Sequence, residues 1–112
     1  MRSCLMRLAA AVLMALGAGL CAAAAPHLPS KNLTVVIEAV RFEPQSLTVR
    51  KGETIVWVNH DPFPHTVTAV GKQFDSHAIA AGSSWKFIAR KAGVFAYACT
   101  LHPTMLGTLH VE

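Results

Sequence analysis

Gly93-Val94-Phe95-Ala96-Tyr97-Ala98-Cys99-Thr100-Leu101-His102-Pro103-Thr104-Met105-Leu106-Gly107-Thr108-Leu109-His110-Val111 is the stretch on which the reading turns. Val94 to Cys99 follows the turn pair Ala92-Gly93 and reads as a strand, and Gly107 to Val111 reads as another. Between them a thiol, an imidazole and a thioether succeed one another at three-residue spacing, at Cys99, His102 and Met105. A connection held between two paired strands can fold those side chains toward one point.

Working back toward the N-terminus, short alternating runs recur. Leu33, Val35 and Ile37 alternate with Thr34 and Glu38, and Leu47 and Val49 with Thr48 and Arg50. Ile55, Trp57 and Asn59 share one side of the next run, and His65 to Val70 and then Trp85, Phe87 and Ala89 continue the series. Turn signals such as Glu43-Pro44, Lys51-Gly52, Asp61-Pro62 and Ala81-Gly82 separate them. Strands of four to seven residues at this spacing predict an all-β sandwich or barrel, with a short turn around Phe74 to Ile79 as the one exception. Trp57, Trp85 and Phe87 are expected in the core between two sheets.

The first residues have a different character. Arg2 and Arg7 precede an apolar run, Leu8 to Leu20, and then Cys21 and Ala22 to Ala25 lead into Pro26. That layout predicts a secretory signal peptide over 1–24, cut after Ala24, and the run is shorter than the roughly 20 residues a spanning helix wants. Residues 25–32 form a polar lead-in and 33–112 a single domain. No stable membrane insertion is expected after cleavage, and an exported, periplasmic location follows. Removing Arg2 and Arg7 from 10 basic residues leaves 8 against 6 acidic ones, 8 − 6 = +2. So small a charge, with basic residues in ones and twos, gives no footing for nucleic acid.

Cys4 and Cys21 fall in the signal, so Cys99 is the lone cysteine of the mature chain. In an oxidising compartment a single thiol needs protection, by burial or by bonding. His65, directly after Pro64 at the start of a strand, brings a second imidazole. Two His and one Cys with a weak axial Met form the donor set of an electron-transfer copper site. Metal binding would make Cys99 a thiolate. Zinc fits less well, since structural zinc takes four Cys or His ligands.

The chain resembles the cupredoxin family, and most closely its amicyanin and plastocyanin groups. The resemblance rests on Phe42-x-Pro44-x-x-Leu47-x-Val49-x-x-Gly52, then Trp57-x-Asn59-x-Asp61-x-x-Pro64-His65-x-Val67. It closes on Gly93-x-x-x-Tyr97-x-Cys99-x-x-His102-Pro103-x-Met105-x-Gly107. It implies a Greek-key β-sandwich binding one Cu(II)/Cu(I) ion, with His65, Cys99 and His102 equatorial and Met105 axial. It also implies single-electron transfer between redox proteins. The two-residue gaps look like the short ligand loop of amicyanin. One departure stands out: Thr66 replaces the Asn that those groups carry after the first His, so their redox potential does not carry over. Thr66, Thr100 and Pro103 are expected to support the ligands.

Electrons are expected to pass at the edge of the His102 ring, across an apolar patch of Phe63, Pro64, Pro103 and Leu106. Such a patch suits brief contacts by a monomer with redox partners. The alternative function is copper storage, resistance or delivery, though His60, His77 and His110 are dispersed and no Met-rich tract is present. An enzyme of the multicopper oxidase or nitrite reductase kind would need further ligand clusters.

Overall fold

A computed structural model describes residues 33–112, together with Gly19 alone; the expected signal segment and lead-in otherwise lie outside the described residues. Eight strands follow in order: β1 (Leu33–Glu38), β2 (Arg41–Glu43), β3 (Ser46–Val49), β4 (Thr54–Asn59), β5 (Thr68–Ala69), β6 (Ser84–Ile88), β7 (Gly93–Cys99) and β8 (His102–Val111). They form two four-stranded sheets, β2-β1-β4-β6 and β3-β8-β7-β5. The pairs β1–β4 and β3–β8 are parallel, so the chain crosses between sheets rather than meandering within one.

The all-β sandwich expected from the sequence is therefore present, and the alternation explains it. In β4, Ile55, Trp57 and Asn59 are buried while Thr54, Val56 and Val58 are half-buried. Their inward faces meet Val35 and Ile37 of β1 and, across the sandwich, Tyr97 and Leu109. Complete burial of each such apolar side chain contributes roughly 1.5–3 kcal/mol. Trp57 stands edge-on to Tyr97 at 5.7 Å between ring centroids, and its Nε1–H donates to the Tyr97 hydroxyl at 3.3 Å. Burial pushes the Tyr97 phenol up to about 12. Gly107 lies against that ring, and a Cβ there would overlap it. Trp85 and Phe87 pack on the core but remain half-buried, because β6 is an edge strand.

Three local expectations change. Only Thr68–Ala69 of the run His65 to Val70 joins a sheet; His65 instead bridges to Ile79, and Thr68 also bridges to Asp75. The segment Phe74 to Ile79 accordingly runs back alongside it, with His77 in the left-handed region at φ 55°, and forms no helical turn. β8 starts at His102, far earlier than Gly107, so the loop between the last two strands shrinks to Thr100 and Leu101. These shifts place three segments at one end of the sandwich: the 59–66 connection, the 75–79 return and the β7–β8 turn.

Candidate metal centre

The β7–β8 turn determines how the ligating residues lie. Cys99 pairs with His102 across it, and the register slips between Ala98 and Cys99. That irregularity lets the pair leave the regular ladder while remaining tied to it. Cys99 is fully buried, His102 half-buried, and Met105 buried three residues further along β8. His65, also fully buried, arrives on the segment leaving β4.

Cys99 Sγ lies 3.7 Å from Nδ1 of His65 and 3.7 Å from Nδ1 of His102. All three donor atoms fall within 4.8 Å of one another. First-row metals bond thiolate sulfur at about 2.3 Å and imidazole nitrogen at about 2.0–2.1 Å, which at a trigonal angle separates sulfur from nitrogen by about 3.7 Å. Both sulfur–nitrogen separations thus fit one ion shared by the thiolate and the two imidazoles. A cavity of about 590 Å³ elsewhere, lined by Lys86, Phe87 and Phe95, touches none of these residues.

Two of the three donors are held from behind. His65 Nε2 sits 2.7 Å from Asp61 Oδ2. Asp61 also accepts from the amides of Ala39 (2.8 Å) and Val40 (3.0 Å). Burial works against its ionised form, but the Val40 amide, the His65 ring and the Ala39 amide outweigh it and hold the carboxyl below the usual range. An ionised carboxylate only accepts, so the His65 proton belongs on Nε2 and the lone pair of Nδ1 faces Cys99. Asn59 shapes the same connection: its side-chain amide donates to the carbonyls of Phe63 (2.9 Å) and Ile79 (3.0 Å), and its Oδ1 accepts from the Asp61 amide.

Thr66 supports the sulfur twice over. Its backbone amide donates to Cys99 Sγ at 3.2 Å, and its hydroxyl accepts from the Thr100 amide at 2.9 Å. Thr66 and Thr100 are in contact, so the threonine that stands where asparagine was expected ties the two segments. Pro103 is exposed beside His102. Phe63 stands 5.6 Å, between ring centroids, from His102 and 5.1 Å from His65, and is 38% exposed. Pro64 and Leu106 are exposed as well, joined by Leu101, which the sequence did not single out. Asp61 is the contact of the His65 ring that sequence reasoning passed over; its position four residues before His65 was the available signal.

Residues 8–111 match the family described as Cupredoxin-like domain. Amicyanin of Paracoccus denitrificans is 31% identical over 127 residues, covering 99% of this chain and 95% of that protein. Plastocyanin of Scenedesmus fuscus is 32% identical over 87 residues, covering 66% and 89%. A solved Cu(I) form of an amicyanin variant superposes with a TM-score of 0.69 at 26% identity, over 77% of this chain and 87% of that one.

Proposed function

The chain belongs to the cupredoxin-like domain family, and from that premise we propose that it is a small blue-copper protein carrying single electrons between redox partners. The observation that carries this reading is the buried Cys99 sulfur, 3.7 Å from one nitrogen of each of two imidazoles. His65, Cys99 and His102 would hold the copper, with the Met105 thioether as a weaker fourth ligand. A thiolate and a thioether favour Cu(I) while imidazole accepts both oxidation states, so bound copper supplies a reversible one-electron couple.

The protein's own residues then have separable tasks. Asp61 fixes the tautomer and angle of the His65 ring. The Thr66 amide takes up charge on the Cys99 sulfur through a hydrogen bond. Complete burial of His65 and Cys99 excludes water and shields the thiol from oxidants. His102 is half-buried with Phe63 5.6 Å away between ring centroids, and we assign the exposed Pro64, Leu101, Pro103 and Leu106 to the apolar rim at this end. An apolar rim of that size supports brief docking by a redox partner, the electron crossing at the His102 edge with no bond made or broken.

No second cysteine is available in the β7–β8 turn for a binuclear centre, which supports a carrier over an oxidase. The buried donor set supports retention of copper through many redox cycles over delivery to another protein. The Arg2, Arg7 and Leu8 to Leu20 pattern supports export to the periplasm. Optical and EPR spectra of residues 25–112 with one equivalent of Cu(II) test the reading. An intense blue charge-transfer band with narrow hyperfine splitting and a reversible potential is expected. A pale tetragonal signal would overturn it, and copper loss to a chelator within a few redox cycles would favour copper handling.

A further inference from the structure

The hydroxyl of Thr66 does not stand alone. Besides the Thr100 amide, it lies 3.1 Å from the Thr100 hydroxyl and 3.0 Å from the Thr68 hydroxyl, which can accept from it while giving its own proton to a carboxylate. Thr68 Oγ1 in turn reaches Asp75 Oδ1 at 3.2 Å. The same Asp75 Oδ1 accepts from the His77 amide at 2.9 Å. A line of polar contacts thus runs from a surface carboxylate, through two threonines, to the amide that follows Cys99.

We propose that Asp75 and Thr68 are positioning residues for the copper centre, holding the Thr66 hydroxyl on the Thr100 amide and so fixing the turn between Cys99 and His102. The proposal rests on the copper reading above. The physical reason begins with Thr68. A threonine side chain has few rotamers, and only some aim Oγ1 at a given neighbour. A carboxylate acceptor makes a stronger hydrogen bond than a neutral one. Asp75 therefore selects the Thr68 rotamer whose oxygen lies within reach of both partners. β5 adds to this, since Thr68 pairs with Ala98, the residue before Cys99. Thr66 is 6% exposed, so water competes poorly for its hydroxyl once Thr68 is in place.

The anchor is itself built. The return segment carrying Asp75 is stitched to the ligand segment by Ser76, whose amide donates to the Val67 carbonyl at 2.9 Å and whose hydroxyl accepts from the Val67 amide at 2.7 Å. The left-handed turn at His77 aims its amide back at Asp75. Asp75 is a surface residue by exposure and a structural one by bonding.

The test is amide hydrogen exchange at Thr100 by NMR in the Cu(I) protein, with Thr68→Val, Asp75→Ala, Asp75→Asn and the Thr68→Val/Asp75→Ala double variant. Thr68→Val and Asp75→Ala should each speed exchange at Thr100 by about two- to tenfold, the range of one hydrogen bond. The double variant should be no faster than the faster single one, because the residues act in series. Asp75→Asn keeps a weaker, neutral acceptor and should fall between wild type and Asp75→Ala. EPR hyperfine splitting of the Cu(II) forms should move in the same direction for Thr68→Val and Asp75→Ala. Unchanged Thr100 exchange in Asp75→Ala, additive effects, or Asp75→Asn matching Asp75→Ala would each overturn the proposal. If wild type forms no blue site, the copper reading fails by itself. The same exchange pattern in the metal-free protein would then decide whether the polar chain holds the turn.

Discussion

Replacing Asp61 by asparagine puts the geometry of His65 to the test. The carboxylate serves three donors: Oδ1 accepts from the Ala39 amide, and Oδ2 from the Val40 amide and lies 2.7 Å from His65 Nε2. An asparagine offers one oxygen and one NH2 group, so at least one of these donors meets another donor. If the amide nitrogen faces Val40 and His65, the imidazole can accept only by moving its proton to Nδ1, which points at Cys99. Copper must then displace that proton before it binds. If the nitrogen faces Ala39, a partly buried backbone amide loses its partner. The second outcome costs about 1–3 kcal/mol of stability in the metal-free protein. The first costs about 10–100-fold in copper affinity, the range for losing a partner behind a metal-bound histidine, or about 1.4–2.7 kcal/mol. Urea unfolding of the metal-free variant and competition with a Cu(I) chelator measure the two effects separately. Cu(I) affinity within twofold of wild type, together with an unchanged urea midpoint, would refute the idea that Asp61 sets the His65 tautomer.

Three further outcomes are expected. Gly107→Ala should lower unfolding stability by about 1–3 kcal/mol in urea titration, because its Cβ would overlap the Tyr97 ring in a packed core. Phe63→Asp should slow bimolecular electron exchange with a redox partner in stopped-flow measurements while leaving the blue band in place; unchanged kinetics would remove Phe63 from the docking surface. Stability should respond to pH at both ends. The Tyr97 phenol is raised in the fold, so its contribution is complete below pH 10 and fades as pH rises toward about 12, by about 2–3 kcal/mol at most. Asp61 and Asp75 are held low, so theirs is present above the usual carboxylate value near 3.8 and disappears as pH falls through the lower folded values. Thermal unfolding of the metal-free protein across pH 2–12 checks both signs.

Much of this was legible in the chain because it depends on period and spacing. Ile55, Trp57 and Asn59 alternate in the sequence and are buried on one face of β4. Cys99 and His102 sit three apart because a two-residue turn brings their side chains together, and that spacing survives in the sequence. What stayed hidden depends on contacts between segments far apart in the chain. Asp61 meets Ala39 and Val40 from more than twenty residues away, through a turn whose left-handed φ values no alanine or valine announces. β2 is three residues long, too short for alternation to register. The His65 to Val70 run has the composition of a strand, yet only two of its residues enter a sheet, because the bonds of His65 and Val67 go to the 75–79 return and the Thr66 amide goes to Cys99 Sγ.

The two imidazoles are held very differently, and that difference fits one-electron work. His65 is clamped: its ring abuts Asp61, and its backbone exchanges hydrogen bonds with Ile79 in both directions, at 3.2 and 2.7 Å. Cys99 is held by the Thr66 amide and by the strand pairing of β7 with β8. Donors fixed before the metal arrives resist being rearranged when its charge changes, so little energy goes into moving atoms at each transfer. His102, by contrast, lies at the rim, half-buried beside an exposed Phe63. Clamping both rings deep in the core would keep the site rigid but leave the electron a longer path out. Exposing both would shorten the path and open the sulfur to water. Burying His65 and Cys99 while leaving His102 beside the exposed Phe63 gives rigidity on one side and leaves the other open for the partner contact proposed above.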